Sequence, residues 1–284
     1  MLTQDSALLR KARAEGYAIP AINTQGGNYD IINAICQAAD QLRSPIMLAH
    51  YVATGAYSGH DWFVQVCKWC AERVSVPVFI HLDHGASFEE CMSALQLGFT
   101  SLMIDGSSRA LDENIAVTNQ VLNTARVFGV PVEAEIGELQ RLDAAGAVQE
   151  NRNLADPEEV RYFLERCQPD SLAVGIGNAH GYYKGQPDIH LEILEQVARF
   201  SSVPLVLHGS TGLDEEIIKA SIQLGVAKIN FGTEIRYKYV EHYARGLEEL
   251  DHQGHSWKLS RYANEALQED VRRIIRLAGS EGRA

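Results

Sequence analysis

The chain carries 10 histidines, and five of them fall where an apolar run gives way to a polar tip. His50 closes one such run, His81 and His84 flank Leu82-Asp83 at a second, His180 follows Asn178-Ala179 after a third, and His208 precedes Gly209 after a fourth. Asp83, Asp105, Glu133 and Glu135 stand at comparable positions. Imidazole nitrogens drawn from separate segments suit a borderline cation such as zinc, and three protein ligands leave a coordination position open for a substrate. One histidine of this kind is usually structural. Three converging with carboxylates point instead to metal-assisted catalysis.

A second group of residues suits a phosphate. Gly209-Ser210-Thr211-Gly212 and Asn230-Phe231-Gly232-Thr233 each follow an apolar run and lead into a helical stretch. Glycines let backbone N–H groups approach an anion, hydroxyls donate to it, and a helix N-terminus adds partial positive charge. Lys184, just past His180, adds a full charge. The net charge of -12 means that an anionic substrate needs this local positive potential, and it argues against nucleic-acid or anionic-membrane partners.

Both groups need a frame that gathers distant segments. ERVSVPVFIHLDHG (72–85), ARVFGVPVEAEIGE (125–138) and ARFSSVPLVLHGST (198–211) each read as helix end, Val-Pro, apolar strand and polar tip. The same logic predicts eight strands, near 18–23, 45–50, 76–83, 101–105, 130–136, 171–177, 203–208 and 227–231. Most are continuous apolar runs, as expected of parallel strands buried on both faces. Amphipathic stretches alternate with them. Ile31, Ile32, Ile35, Ala38, Ala39 and Leu42 recur at helical spacing. Ser87 with Glu90 predicts a capping box for 88–97, and Asp156-Pro157 a cap with first-turn proline for 157–167. Asp112, Asp188 and Asp214 stand in similar opening positions.

Eight β-then-α units in 284 residues predict an α/β protein of one domain, 1–284, folded as a single (β/α)₈ barrel with extra C-terminal helices. The long spacing between the fifth and sixth strands leaves a polar loop over 138–156. An open doubly wound sheet is less consistent, because no GxGxxG follows the first strand. In a barrel the chemistry gathers at the carboxyl ends of the strands, where the polar tips fall. The composition, 46% hydrophobic and 22% charged, is that of a globular protein, with neither a membrane-length apolar run nor a signal-peptide pattern, so a cytoplasmic protein is expected. Five cysteines are too few, and odd in number, for a disulfide framework; Cys67 and Cys70 fall on a predicted outer helix and read as buried structural thiols.

His81-Leu82-Asp83-His84, Met103-Ile104-Asp105-Gly106-Ser107, Val132-Glu133-Ala134-Glu135-Ile136-Gly137, His180-Gly181-Tyr182-Tyr183-Lys184 and the two glycine loops resemble the motifs of class II, zinc-dependent ketose-bisphosphate aldolases. The resemblance spans almost the whole chain and is nearest to the tagatose-bisphosphate branch. It implies one Zn²⁺ per subunit on His84, His180 and His208, with His81 supporting and Asp83 as the proton-transferring acid/base. It assigns Gly181, Lys184, Gly209, Ser210, Thr211, Asn230, Phe231, Gly232 and Thr233, together with Asn23, to binding substrate, chiefly its dihydroxyacetone-phosphate half. Asp105 and Glu135 match acidic positions that orient ligands or receive a displaced ion. A monovalent cation, a homodimer or homotetramer, and in some systems a non-catalytic companion subunit also belong to what the resemblance implies. The aromatic stretch Tyr237, Tyr239, His242 and Tyr243 is a candidate subunit contact.

The chain also departs from that pattern. The glycine pair after VEAEIG is missing, leaving Asp143 as the expected base for the hydroxymethyl proton. Tyr51 replaces a small hydroxyl residue that meets the distal phosphate, and His255-Ser256-Trp257-Lys258 replaces a proline-bearing stretch. The distal half of the substrate is therefore where this chain differs, with Arg141 as a compensating cation. Two alternatives remain open at this stage. One is a Schiff-base aldolase using Lys228, which shares a strand face with Asn230; the other is the non-catalytic companion itself.

Overall fold

The computed structural model describes residues 1–138, 140–141 (backbone only), 154–183, 187–250 and 255–284. Eight parallel strands close into a barrel, as the sequence predicts. Around it run β1 (Ile19–Asn23), β2 (Ile46–Tyr51), β3 (Val78–Gly85), β4 (Ser101–Ile104), β5 (Val132–Ile136), β7 (Ser171–Val174), β9 (Leu205–Leu207) and β10 (Val226–Phe231). β10 returns to β1 in a register that sets Asn230 beside Ala21. A separate two-stranded parallel sheet, β6 (Gln140–Arg141) with β8 (Ala179–His180), sits above the rim. The sequence reading had not foreseen it, because two-residue strands carry no periodicity.

The helices are α1 (Ala7–Glu15), α2 (Tyr29–Gln41), α3 (Gly55–Ser58), α4 (His60–Ala71), α5 (Phe88–Leu97), α6 (Leu111–Ala125), α7 (Pro157–Arg166), α8 (Leu191–Ala198), α9 (Glu215–Gln223), α10 (Thr233–Glu249) and α11 (Ser256–Leu277). None of them is long and apolar enough to cross a membrane. α11 follows the last β/α unit and packs on α2 and α10, burying Leu259, Ala263, Leu267, Val271, Ile274 and Ile275 along one face. On α10, Tyr239 donates to Asp30, and His242 pairs with Asp270 across to α11, while Tyr237 and Val240 are exposed. All five cysteines are buried and unbridged, Cys67 and Cys70 on the buried side of α4.

At the Val-Pro signatures the strands begin two residues later than predicted, at 78, 132 and 205 rather than near 76, 130 and 203. Pro77, Pro131 and Pro204 sit immediately before β3, β5 and β9 and join the sheet through their carbonyls, which accept from Ile46, Leu102 and Leu172. Having no N–H, proline can accept but not donate, so it suits the first rung of a ladder.

Caps follow their chemistry unevenly. Asn28, Ser87 and Asp156 each accept a backbone N–H at the start of α2, α5 and α7. At α5 the reciprocal partner is displaced by one residue, Glu90 accepting from Ala86 N rather than from Ser87. Asp112, Asp188 and Asp214 do not cap by side chain. Asp112 lies inside the first turn of α6 and accepts from the Tyr162 hydroxyl, Asp188 precedes the α8 cap residue His190, and Asp214 occupies the cap position without a side-chain hydrogen bond. Ser87→Ala removes an acceptor from α5 and is expected to cost about 1 kcal/mol, lowering Tm by roughly 2 °C in calorimetry.

Strand alternation builds two cores. Outward residues such as Leu102, Ile104, Val132, Ala134, Leu172 and Leu205 pack against the helices. Inward residues Ile19, Ala21, Met47, Ala49 and Phe79 fill the lower barrel over Leu9, Ala12 and Tyr17. Higher up the inward positions turn polar, with His81, Asp83, Glu133, Glu135, Lys228 and Asn230 all buried.

Candidate active site

Strand parity and depth set two of the five rim histidines apart from the other three. His50 points outward from β2, stacks on Phe63 of α4 at 4.1 Å between ring centroids, and bonds His60 Nδ1 at 2.8 Å. His81 points inward one layer below the rim and is fully buried, its Nδ1 2.8 Å from Ser101 Oγ. His84, His180 and His208 meet, each offering a nitrogen within 4.8 Å of the other two.

His84 reaches the site by breaking the parity rule. Adjacent residues of a regular strand point to opposite faces, yet Asp83 and His84 both line the same cavity. The β3–β4 register shifts between Leu82 and Gly85, and His84 adopts φ +57°, a left-handed conformation uncommon outside glycine. Such a bulge turns the strand locally and aims an extra side chain inward, at a backbone cost characteristic of functional sites.

His180 lies on β8, held by its pairing with Arg141 in β6. The Tyr183 hydroxyl ties the backbone of Ala179 to that of Gly209. Gly209, at φ +60°, packs so closely that a Cβ there would lie 2.6 Å from Ala179 O, so only glycine fits. His208, 2% exposed, forms the floor.

Each imidazole has one nitrogen committed away from the meeting point or facing it directly. His84 Nδ1 lies 2.8 Å from Asp105 Oδ2 and 3.7 Å from Glu135 Oε2. His84 Nε2 and His180 Nε2 are 3.2 Å apart. His208 Nε2 bonds Glu133 Oε1 at 2.7 Å, while its Nδ1 is buried with no hydrogen-bond partner. Ligands about 2.0–2.1 Å from a tetrahedral zinc stand about 3.3 Å apart, and the His84–His180 spacing already matches that figure. A buried imidazole nitrogen left without a proton donor, beside two others turned together, fits a cation better than it fits a dry core. His84, Asp105 and Glu135 form a second group whose ligand atoms lie within 4.8 Å.

The electrostatics follow from burial and these neighbours. Burial lowers the affinity of His84 for a proton, but its bond to Asp105 and the charges of Asp83 and Glu135 outweigh that and push it up to about 9. Burial, then the Lys228 charge, holds His208 well below the ordinary imidazole range. Burial works to raise the Asp83 carboxyl, yet the charge of His84, then the neighbouring His208 ring and the Lys228 ammonium, hold it below its usual value. Asn230 Nδ2 donates to Asp83 Oδ1 at 2.9 Å, and Asn230 Oδ1 is buried without a partner.

A cavity of about 510 Å³ opens above this floor. Asn23, Gly181, Gly209, Ser210, Thr211, Asn230, Phe231, Gly232 and Thr233 all line it, with Asp83, His84, Asp105 and His180 at its base. The two glycine loops are not equivalent. Gly232 directly precedes α10, whose first residue is Thr233, whereas α9 begins only at Glu215, three residues beyond Gly212. The Ser210 hydroxyl donates to Asn230 O, tying the loops together. Lys184 and Asp143 lie outside the described residues, as does the Arg141 side chain.

The sequence reading missed several lining residues. Gln25, Thr54, Ser107, Ser108, Arg109, Glu138 and Arg236 join Tyr51 around the upper cavity. Arg236 was findable, standing one helical turn after Thr233 and so on the same side of α10. Arg109 and Gln25 sit in loops without periodicity, where nothing in the residue order aims a side chain.

Residues 3–283 match the family model described as fructose-bisphosphate aldolase class-II. The chain is 37% identical to a fructose-bisphosphate aldolase of Thermus caldophilus, over 100% of both chains. It is 33% identical to the D-tagatose-1,6-bisphosphate aldolase subunit GatY of Klebsiella oxytoca, over 97% of this chain and 96% of the relative. The crystal structure of the YdjI aldolase from Escherichia coli K12 superposes with a TM-score of 0.86 at 31% identity, covering 100% of both chains.

Proposed function

The chain belongs to the class II fructose-bisphosphate aldolase family, which makes it a carbon–carbon lyase, and from that premise we propose that it performs zinc-dependent, reversible cleavage of a phosphorylated ketose into dihydroxyacetone phosphate and an aldehyde. Candidate substrates are tagatose or fructose 1,6-bisphosphate and ketose 1-phosphates. The observation that carries this reading is the convergence of three imidazoles from β3, β8 and the end of β9 beside the buried Asp83 carboxylate. His84 and His180 through Nε2, and His208 through Nδ1, would hold the cation. Bound there, a zinc ion supplies Lewis acidity, polarising the ketose C2 carbonyl and stabilising negative charge on its oxygen.

The remaining work falls to the chain's own groups. Asp83, held ionised by the cationic surroundings described above, takes the C4 hydroxyl proton as the C3–C4 bond breaks and the aldehyde forms. The bonding pair passes toward the C2 oxygen, and C3 then takes a proton to give dihydroxyacetone phosphate. Asn230 holds Asp83 through Nδ2 and offers its unpartnered Oδ1 to a substrate hydroxyl. Backbone N–H groups of the Gly209 and Gly232 loops, with Thr211 and Thr233, would fix the phosphate, so that binding energy remote from the reacting carbons positions them. Arg236, at the same wall, adds a positive charge.

Neither alternative gains support. Lys228 is fully buried, lies below the cavity and is paired with Glu133, so its amine does not face a ketose carbonyl. The companion-subunit reading predicts loss of the acid or of ligands, and Asp83 and all three histidines are in place.

Retro-aldol assays over ketose mono- and bisphosphates, with coupled detection of dihydroxyacetone phosphate, test the reading. Turnover of at least one ketose phosphate, abolished by a chelator and restored by zinc, is expected. Chelator-insensitive turnover that borohydride traps on a lysine would contradict it.

A further inference from the structure

Beneath the three imidazoles lies a buried ion pair that the proposed reaction does not use. Lys228 on β10 is 0% exposed and Glu133 on β5 is 2% exposed. Lys228 Nζ donates to Glu133 Oε2 at 2.7 Å, and His208 Nε2 stands 2.7 Å from Glu133 Oε1. The next groups facing the carboxylate are more distant, Ser171 Oγ at 3.5 Å and His81 Nε2 at 3.9 Å, both from Oε2. Each carboxylate oxygen therefore has one strong partner.

The polarity of this chain of hydrogen bonds is forced. An ammonium only donates, so Oε2 is committed to Lys228 and Oε1 is the oxygen left for His208. A carboxylate only accepts, so the ring proton of His208 must sit on Nε2. The lone pair then falls on Nδ1, the nitrogen that is buried and without a partner. The ammonium also balances the carboxylate, so the pair places no uncompensated charge under the site.

We infer that Lys228 is a positioning residue for the metal centre: by anchoring Glu133 Oε2 it orients the carboxylate that locks His208 in the Nε2–H tautomer and turns Nδ1 toward the cation. This rests on the metal-site reading above and adds to it a residue that touches neither metal nor substrate. Groups that orient a ligand in this way typically change metal affinity about 10–100-fold when altered.

Glu133→Gln and the double variant Glu133→Gln/Lys228→Met test the inference. In the single variant, Lys228 still demands an oxygen, so the introduced amide turns its NH₂ to His208. Nε2 must then accept, and the proton moves to Nδ1, where it blocks the cation. In the double variant the amide is free to turn its oxygen to His208, and the original tautomer returns. Long-range ¹H–¹⁵N NMR of histidine-labelled, metal-free protein reads the tautomer, and chelator competition reads zinc affinity. The expected pattern is Nε2–H in the wild type, Nδ1–H with at least about tenfold weaker zinc binding in the single variant, and recovery of both in the double variant. An Nε2–H ring in Glu133→Gln, or a double variant that binds zinc no better than the single one, overturns the inference. Should Glu133→Gln fail to fold, Lys228→Met with Glu133 retained carries the test: zinc binding at least about tenfold weaker is expected, and wild-type zinc affinity overturns the inference. The expected tautomers in a wild type that binds no zinc would instead contradict the metal-site reading and leave the role of Lys228 in orienting His208 standing.

Discussion

His208→Ala is expected to strip the chain of its divalent cation and to lower retro-aldol turnover by roughly 10³-fold or more, the size of a several-kcal/mol Lewis-acid contribution. The ring is the floor of the site, with one nitrogen fixed by Glu133 and the other buried and unpartnered. Its loss leaves two imidazoles where a closed set of three is required. It also deprives Glu133 Oε1 of its donor, so some loss of stability should accompany the loss of metal. Metal analysis after dialysis, beside turnover with and without added zinc, checks this. Wild-type zinc content with wild-type turnover would remove His208 from the site.

Asp83→Ala separates proton transfer from metal binding. Asp83 does not belong to either group of residues able to hold a cation, so zinc content should stay at the wild-type level. Turnover should fall by about 10²–10⁴-fold, the usual contribution of a general acid–base group. The fall should appear in kcat rather than in KM, because Asp83 acts on a proton in flight and the phosphate is gripped elsewhere. A variant that loses zinc, or one that keeps its kcat, contradicts the assignment.

The barrel was legible because its strands are apolar on both faces, a pattern that alternating sheets and amphipathic helices do not share. The Val-Pro repeat located strand entries to within a residue or two, since proline tolerates few other places in a sheet. The three histidines that converge were legible as types at strand ends, but the choice among them was not. His50 and His81 occupy equally suggestive positions, and parity sends His50 into the helical layer while depth places His81 below the rim. Parity would have turned His84 away as well. What brings it in is a bulge at a left-handed backbone position, and a non-glycine residue gives no local sign of that. Glu133 stood among the polar tips without a role. Its partner Lys228 was singled out for a different chemistry, and only three strands seen together bring Lys228, Glu133 and His208 into one line of contacts. The upper cavity was the least legible part, because Gln25, Arg109 and Glu138 come from loops whose side-chain directions no periodicity sets.

Zinc-edge anomalous diffraction from crystals of the zinc-loaded protein tests the central claim most directly. A single strong peak about 2.0–2.1 Å from His84 Nε2, His180 Nε2 and His208 Nδ1 is expected. A peak that omits any of the three, or a zinc-replete crystal with no peak among them, would contradict the account.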